Sequence, residues 1–490
     1  MTCSLSTTRS SHVPWLLLLL YFGAHVLSRT LVSEALELDE AEQALWTQQL
    51  AAGYGAQPPL YTWLQWTMFQ IAGVSVLSLS LLKNLLLAWT YAFVWLAARR
   101  LMAAPLAMLA AASMLLIPQI GWESQRDLTH SVLATAVAAA TLYVVVRLIE
   151  RPRSVLYLAL GVCAALGLLS KYSFSVFLAA LGLALLLSCD TRPLLRSPWI
   201  IVAALVALAV LAPHALWLFD NWQLATVRTM EKLGTHSSLS AGIARGLVSL
   251  LGATLATLVA FMLASAAIFG RAGWHAGPRS RHCRLWRRYF GALAALMLGL
   301  VVVGGATHFK GRWLQPLVFM GPLVFFCCHQ HLVAHPRLSW LKRVLVSLAL
   351  LYLFMVSMRP VFDGWRDRPD ELNEPVAELA DALLGAGYDG HSSIVTNDPV
   401  LGGGLRVRFP QARITVWKEG FPEPASRRAP HLLIGRGDGG RRLFERVGAV
   451  VVHRLALPAR HVRQGRPPIE YRYALISSIG ARVQSLPAAP

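Results

Sequence analysis

Eleven stretches of 16 to 24 mostly apolar positions fill the first three quarters of the chain, at about 13–28, 77–98, 103–118, 129–149, 155–170, 172–189, 198–217, 247–270, 289–306, 314–333 and 339–358. A helix needs roughly 20 apolar residues to cross about 30 Å of hydrocarbon. The pattern therefore predicts a polytopic α-helical membrane protein with about 11 transmembrane helices. Residues 155–189 are too long for one crossing, so two helices are expected to meet near Ser170-Lys171. From about residue 361 the apolar segments become short. Ser393–Thr396, Ile414–Trp417, Leu432–Ile434, Ala449–Val452 and Tyr473–Ile476 have strand character, with helical segments at Glu374–Leu384 and Arg441–Val447. The division is a membrane domain over 1–360 and a C-terminal α/β domain over 361–490. Gly402-Gly-Gly404 reads as a turn between strands.

Composition agrees with the pattern. Of the 490 residues, 56% are hydrophobic and 14% charged, where soluble domains carry about 25% charged residues. The formal net charge of +20 and a pI near 10.3 could suggest nucleic acid. The basic residues instead cluster in short loops between apolar runs: Arg99 and Arg100, Arg147 to Arg153, Arg192 and Arg196, Arg271 to Arg288, and Arg337 to Arg343. That is the positive-inside distribution, and it excludes a nucleic-acid partner. With a cytoplasmic N-terminus, the segments 29–76, 119–128, 218–246 and 307–313 face outward, as do Lys171 and the C-terminal domain. Arg9 and the run Trp15–Tyr21 resemble a signal peptide, but no small-x-small cleavage site follows, so an uncleaved first helix is expected. The six cysteines give no disulfide framework and no zinc-ligand spacing.

Candidate chemistry gathers on the outward side. The first external loop, 29–76, carries Glu34, Glu37, Asp39, Glu40 and Glu42 with no Lys or Arg among them. Asp39 and Glu42 have capping-box spacing, which predicts a helix opening at Asp39 and ending at Gly53. Gln57-Pro-Pro-Leu-Tyr61 follows, its prolines fixing an extended turn before a new helix. Asp127 closes the short second loop as a site residue or as the cap of the next helix. Lys171 lies between two apolar runs, where a lipid phosphate would meet its charge or its stem would snorkel. His308-Phe-Lys310-Gly-Arg312-Trp-Leu-Gln-Pro316 is a cationic outer loop against the positive-inside trend, so an anionic partner is expected; Arg312 can hold phosphate bidentately. His214 reads as a satisfied interface histidine.

Taken in order, the acidic first loop, Pro58-Pro-Leu-Tyr-Thr-Trp-Leu64, Asp127, Gly167-Leu-Leu-Ser-Lys171, Pro213-His-Ala-Leu-Trp-Leu218 and Arg312-Trp-Leu-Gln-Pro316 resemble the GT-C glycosyltransferases of the protein O-mannosyltransferase-like superfamily (glycosyltransferase family 39). Bacterial members of that superfamily include the aminoarabinose transferases of lipid A. The resemblance covers roughly residues 30–320. It implies a GT-C fold and an inverting transfer of a sugar from a polyprenyl-phosphate donor to a lipid, glycan or protein acceptor, on the outer face of the cell inner membrane. It also implies Asp39 as the catalytic base and Asp127 as the second-loop acid; Glu40, beside Asp39, is a further candidate catalytic carboxylate. Lys171, Lys310 and Arg312 would hold the donor phosphate, and Gln57, Tyr61 and His308 would line the substrate. Some relatives carry an acidic metal ligand near the Pro-Pro pair where Gln57 stands here, so a divalent metal ion stays open. The C-terminal domain lies outside the resemblance and is expected to help bind the acceptor. The alternative is a polytopic transporter or lipid flippase with an external acidic site. A transporter predicts matched repeats or broken spans in two halves, and the sequence shows no convincing repeat.

Overall fold

The computed structural model describes residues 12–223, 239–275, 280–417, 431–447, 451–463 and 465–476. Cys3, Arg9, Arg279 and part of the expected strand Ala449–Val452 lie outside them. The chain forms two compact units. One comprises Met1–His25, Ala51–Tyr61 and Lys83–Leu353; the other comprises Val26–Leu50, Thr62–Leu82 and Phe354–Pro490.

Every predicted apolar run falls on helix. Among the described residues, seven helices are long and apolar enough to span a membrane, and two further spans are bent pairs. Ser154–Ser170 and Phe174–Leu187 are shorter apolar helices, and they meet at Lys171 as the pattern predicted. The first bent pair, Ala104–Leu116 with Gln119–Arg126, turns by 78°. Its break has a local cause. Ile117 is extended (φ −94°, ψ 107°) ahead of Pro118, because a proline ring disfavours helical geometry in the preceding residue. The second pair, Gly311–Val318 with Gly321–Cys328, bends by 41°.

Small residues let the helices of the membrane unit approach closely. A Cβ on Gly161 would collide with the Ala203 backbone, and one on Gly167 would collide with the Phe174 ring. Contrary to expectation, Cys283 and Cys328 form a disulfide. They are 45 residues apart, one beside a basic segment and one in an apolar run, so no local spacing announces the pair.

The second unit contains a five-stranded sheet. The strands are β1 (Ser393–Thr396), β2 (Ile414–Val416), β3 (His431–Arg436), β4 (His453–Leu457) and β5 (Ile469–Ile476). Their order is β2-β1-β3-β5-β4. β1 pairs parallel with β2 and β3, whereas β5 pairs antiparallel with β3 and β4. Alternation along the strands sorts two cores. Ile394, Leu432 and Ile434 join Leu379, Leu383 and Leu401 from helices Val376–Gly385 and Pro399–Arg408. Val395, Leu433 and Ala474 join Leu443 and Phe444 from helix Gly437–Val447. Two expectations are corrected here. Gly402-Gly-Gly404 is not a turn but lies inside helix Pro399–Arg408. Of the expected strand Ala449–Val452, Val451 and Val452 precede the fourth strand, which is His453–Leu457; Ala449 and Val450 lie outside the described residues.

Candidate active site

Within the membrane unit, Lys171 meets the segment that carries Arg312 and Lys310. Lys171 is extended (φ −163°, ψ 132°) between two helices. Its Nζ donates to Ser131 Oγ at 2.7 Å and to the Arg312 carbonyl at 3.2 Å. Ser131 Oγ donates to the same carbonyl at 3.2 Å. Lys171 is thereby fixed to the first turn of helix Gly311–Val318, which carries Arg312; Lys310 is that helix's N-cap residue. Arg312 is half-buried, and Lys310 and His308 are exposed.

The same helix is tied to the segment that precedes the second-loop acid. Gln315 Nε2 donates to Ser124 Oγ at 3.0 Å, and Ser124 Oγ donates to the Gln119 carbonyl at 2.6 Å. A Cβ on Gly311 would strike the Gln119 amide. Gln119–Glu123 is a π-helical turn, a conformation often found at functional sites. Asp127 ends the short helix Ser124–Arg126, its N–H donating to the Glu123 carbonyl at 3.0 Å. It is not the cap of the next helix, a position taken by Thr129. Gln125 Nε2 donates to Asn84 Oδ1 at 3.0 Å, fixing this segment to helix Val76–Leu101.

Tyr61 is buried with its ring 5.6 Å from that of His130, the neighbour of Ser131. Gln57 is half-buried, and its backbone pairs with Tyr54 across a turn in which Gly55 has φ +60°. Tyr61, Lys171, Arg312 and the Asp127 segment are thus linked through direct neighbours. Sequence reasoning missed His130, Ser131 and Gln119, polar groups at or inside apolar runs. His214 is satisfied at both ring nitrogens, by Tyr172 Oη at 3.2 Å and the Ala52 carbonyl at 2.7 Å.

In the second unit, the first-loop acids open helix Leu38–Trp46. The capping box is formed by Glu37 and Glu40, not Asp39 and Glu42, and the helix ends at Trp46 rather than Gly53. Glu40 is buried; it accepts from the Glu37 N–H at 3.3 Å and pairs with Arg29 at 2.6 Å. The Arg29 guanidinium also donates to the Ser33 and Ala35 carbonyls, each at 2.7 Å. Glu37, also buried, is ion-paired with Arg359, which pairs with Asp370 as well. Asp39 stands between these two acids in the first turn and is half-buried.

The carboxylate oxygens of Glu37, Asp370 and Glu371 lie within 4.8 Å of one another, a spacing that suits a metal ion. Arg359 pairs with two of the three and Glu371 accepts from the Leu38 N–H at 2.9 Å. A guanidinium already balances this group, so it does not fit a resident divalent ion.

A polytopic helical bundle bearing cations and acids at the ends of its spans, with an α/β unit in the C-terminal region, defines the GT-C class of membrane glycosyltransferases. The crystal structure of ArnT from Cupriavidus metallidurans bound to undecaprenyl phosphate has the same fold, with a TM-score of 0.62 at 12% identity over 97% of this chain and 100% of that chain. The family described as dolichyl-phosphate-mannose-protein mannosyltransferase matches residues 56–217. Lipopolysaccharide core galacturonosyltransferase RgtB of Rhizobium johnstonii is 36% identical over 437 residues, 86% of this chain and 87% of that protein. RgtA of the same organism, also a lipopolysaccharide core galacturonosyltransferase, is 31% identical over 88% of each chain. The chain belongs to the family of these galacturonosyltransferases and is a multi-pass membrane glycosyltransferase. The transporter and flippase alternative is not supported.

Proposed function

We propose that this protein moves a galacturonosyl group from a polyprenyl-phosphate carrier to the core of a lipopolysaccharide, at the outer face of a bacterial inner membrane and with inversion at the anomeric carbon. The observation that carries the reading is the lysine ammonium fixed to Ser131 and to the backbone of Arg312, which gathers two cations suited to a lipid phosphate. The names of RgtB and RgtA support the sugar and the acceptor, and the lipid bound to ArnT supports the carrier. The arginine loops support a cytoplasmic N-terminus and an extracytoplasmic C-terminal domain.

In this reaction Asp39 takes the proton of the acceptor hydroxyl as its oxygen attacks the anomeric carbon. The bond from that carbon to the phosphate oxygen breaks, and polyprenyl phosphate departs with the electron pair. Lys171 and Arg312 stabilise the charge developing on the phosphate, and Lys310 adds to the field on the approach. Glu40, engaged by Arg29, positions the turn that carries Asp39. Asp127 is the second acid of the site and orients the acceptor, with Gln57, Tyr61 and His308 lining the substrate. No step is routed through a metal ion, so transfer should persist in the presence of a chelator.

Labelled galacturonate on a polyprenyl-phosphate carrier, offered to membranes with core lipopolysaccharide, tests the proposal. Wild-type membranes should label the core and membranes with Asp39→Asn should not. Absence of label from wild type across several uronate carriers overturns the donor assignment.

A further inference from the structure

Helix Leu38–Trp46 has nine residues, too few to be stable alone in water. Its fixed geometry must come from what it packs against, and that is helix Pro399–Arg408 of the same unit. Ala41 and Ala44 are fully buried. A Cβ built on Gly403 would lie 2.5 Å from both Cα and Cβ of Ala41 and 3.0 Å from its carbonyl oxygen. Only glycine permits this approach. Gly402 and Gly404 are similarly close, to Thr396 at 3.0 Å and Val376 at 3.2 Å. Three consecutive glycines cost a helix about 1 kcal/mol each relative to alanine, which makes sense where the bare backbone is itself the packing surface.

The same helix is fixed at both ends. At its start, the Leu38 N–H donates to Glu371 Oε2 at 2.9 Å. Just past its end, Gln48 Oε1 accepts from the Ile414 N–H at 2.7 Å and Gln48 Nε2 donates to the Ile414 carbonyl at 2.9 Å. Ile414 opens β2, the edge strand of the sheet. Gln48 therefore makes the pair of backbone bonds that an added strand would make, and it covers that edge.

We infer that the C-terminal α/β domain is the socket of the Asp39 helix, and that Gly403 and Gln48 are positioning residues for glycosyl transfer. This inference rests on Asp39 being the base. A methyl group at Gly403 must push the Ala41 backbone outward and carry Asp39, two residues away, off its position.

The test compares full-length Gly403→Ala, Gln48→Ala, Asp39→Asn and the control Gly385→Ala in membranes, with kcat and donor KM measured on the labelled uronate carrier. Gly385 has nothing within 4 Å of an added Cβ, so its variant should match wild type. Gly403→Ala should lower kcat by up to about 100-fold, the scale of a 1 Å misplacement, with donor KM unchanged. Gln48→Ala should lower kcat less and in the same manner, and it decides the matter if Gly403→Ala does not accumulate. Wild-type kcat in Gly403→Ala overturns the socket, as does a change confined to donor KM. So does wild-type kcat in Gln48→Ala when that variant alone accumulates. Wild-type turnover in Asp39→Asn overturns the base assignment instead, whatever Gly403 does.

Discussion

Arg29 shows how one side chain organises the acidic loop. Its guanidinium meets Glu40 and two backbone carbonyls in a buried setting, so each partner depends on the other. Arg29→Met should cost about 3–5 kcal/mol, the usual penalty for orphaning a buried charge, seen as a lower Tm of the detergent-solubilised chain. In the proposed reaction Lys171 acts on the other part of the chemistry, the departing phosphate. Removing one charge-stabilising donor from an active site costs roughly 100-fold or more in rate. Lys171→Met should therefore lower kcat/KM on that scale, and saturating donor should not restore kcat. Lys171 and Arg312 stand out as candidates in the sequence because a cation is conspicuous between apolar runs. Ser131, which joins them, was not legible: a serine inside an apolar run looks like any small residue. Glu40 looks like Asp39 in the sequence, and its buried pairing with Arg29 is visible only in the structure.

At the level of elements, apolar run length gave the helices, since hydrocarbon thickness sets that length. Their internal breaks followed proline where a proline was present, as at Pro118. Turn and cap assignments fared worse. Asp39-x-x-Glu42 is the better capping box on paper, since Asp is a favoured N-cap and Glu is not, yet burial against Arg29 and Arg359 makes Glu37 and Glu40 the box that forms. The glycine run misled because glycine marks a turn or a close helix crossing, and only the partner Ala41 distinguishes them.

A pH-dependent group sits against the sheet, just before helix Val376–Gly385. Glu374 is buried, accepts from Tyr471 Oη at 3.2 Å and pairs with Arg436 at 3.2 Å. Burial raises its carboxyl above the ordinary glutamate value, although Arg436 opposes this. A carboxyl raised on folding binds its proton more tightly in the folded state. Its contribution is fully present below the ordinary glutamate pKa and is lost as pH rises through the raised value. Stability of wild type relative to Glu374→Gln should therefore fall across that window in thermal unfolding run as a pH series. A difference that stays flat would contradict the assignment.

For the molecule as a whole, run length and hydropathy were enough to give a polytopic helical bundle. The order of short motifs was enough to give the glycosyltransferase class. The extent of the second unit was not legible. The composition change near residue 361 marks the start of the sheet region, yet residues 26–50 and 62–82 belong to the same compact unit. Long-range packing of this kind leaves no periodic trace in the chain. The loop that carries the proposed base and the region that carries the sheet belong to one compact unit.

The most direct test of the central claim is the transfer of labelled galacturonate from a polyprenyl-phosphate carrier into core lipopolysaccharide by membranes carrying wild type or Asp39→Asn. The account predicts a labelled core with wild type and none above background with Asp39→Asn, at equal protein levels. Equal labelling by both would contradict it, leaving Asp39 a first-turn helix residue and moving the base to Asp127.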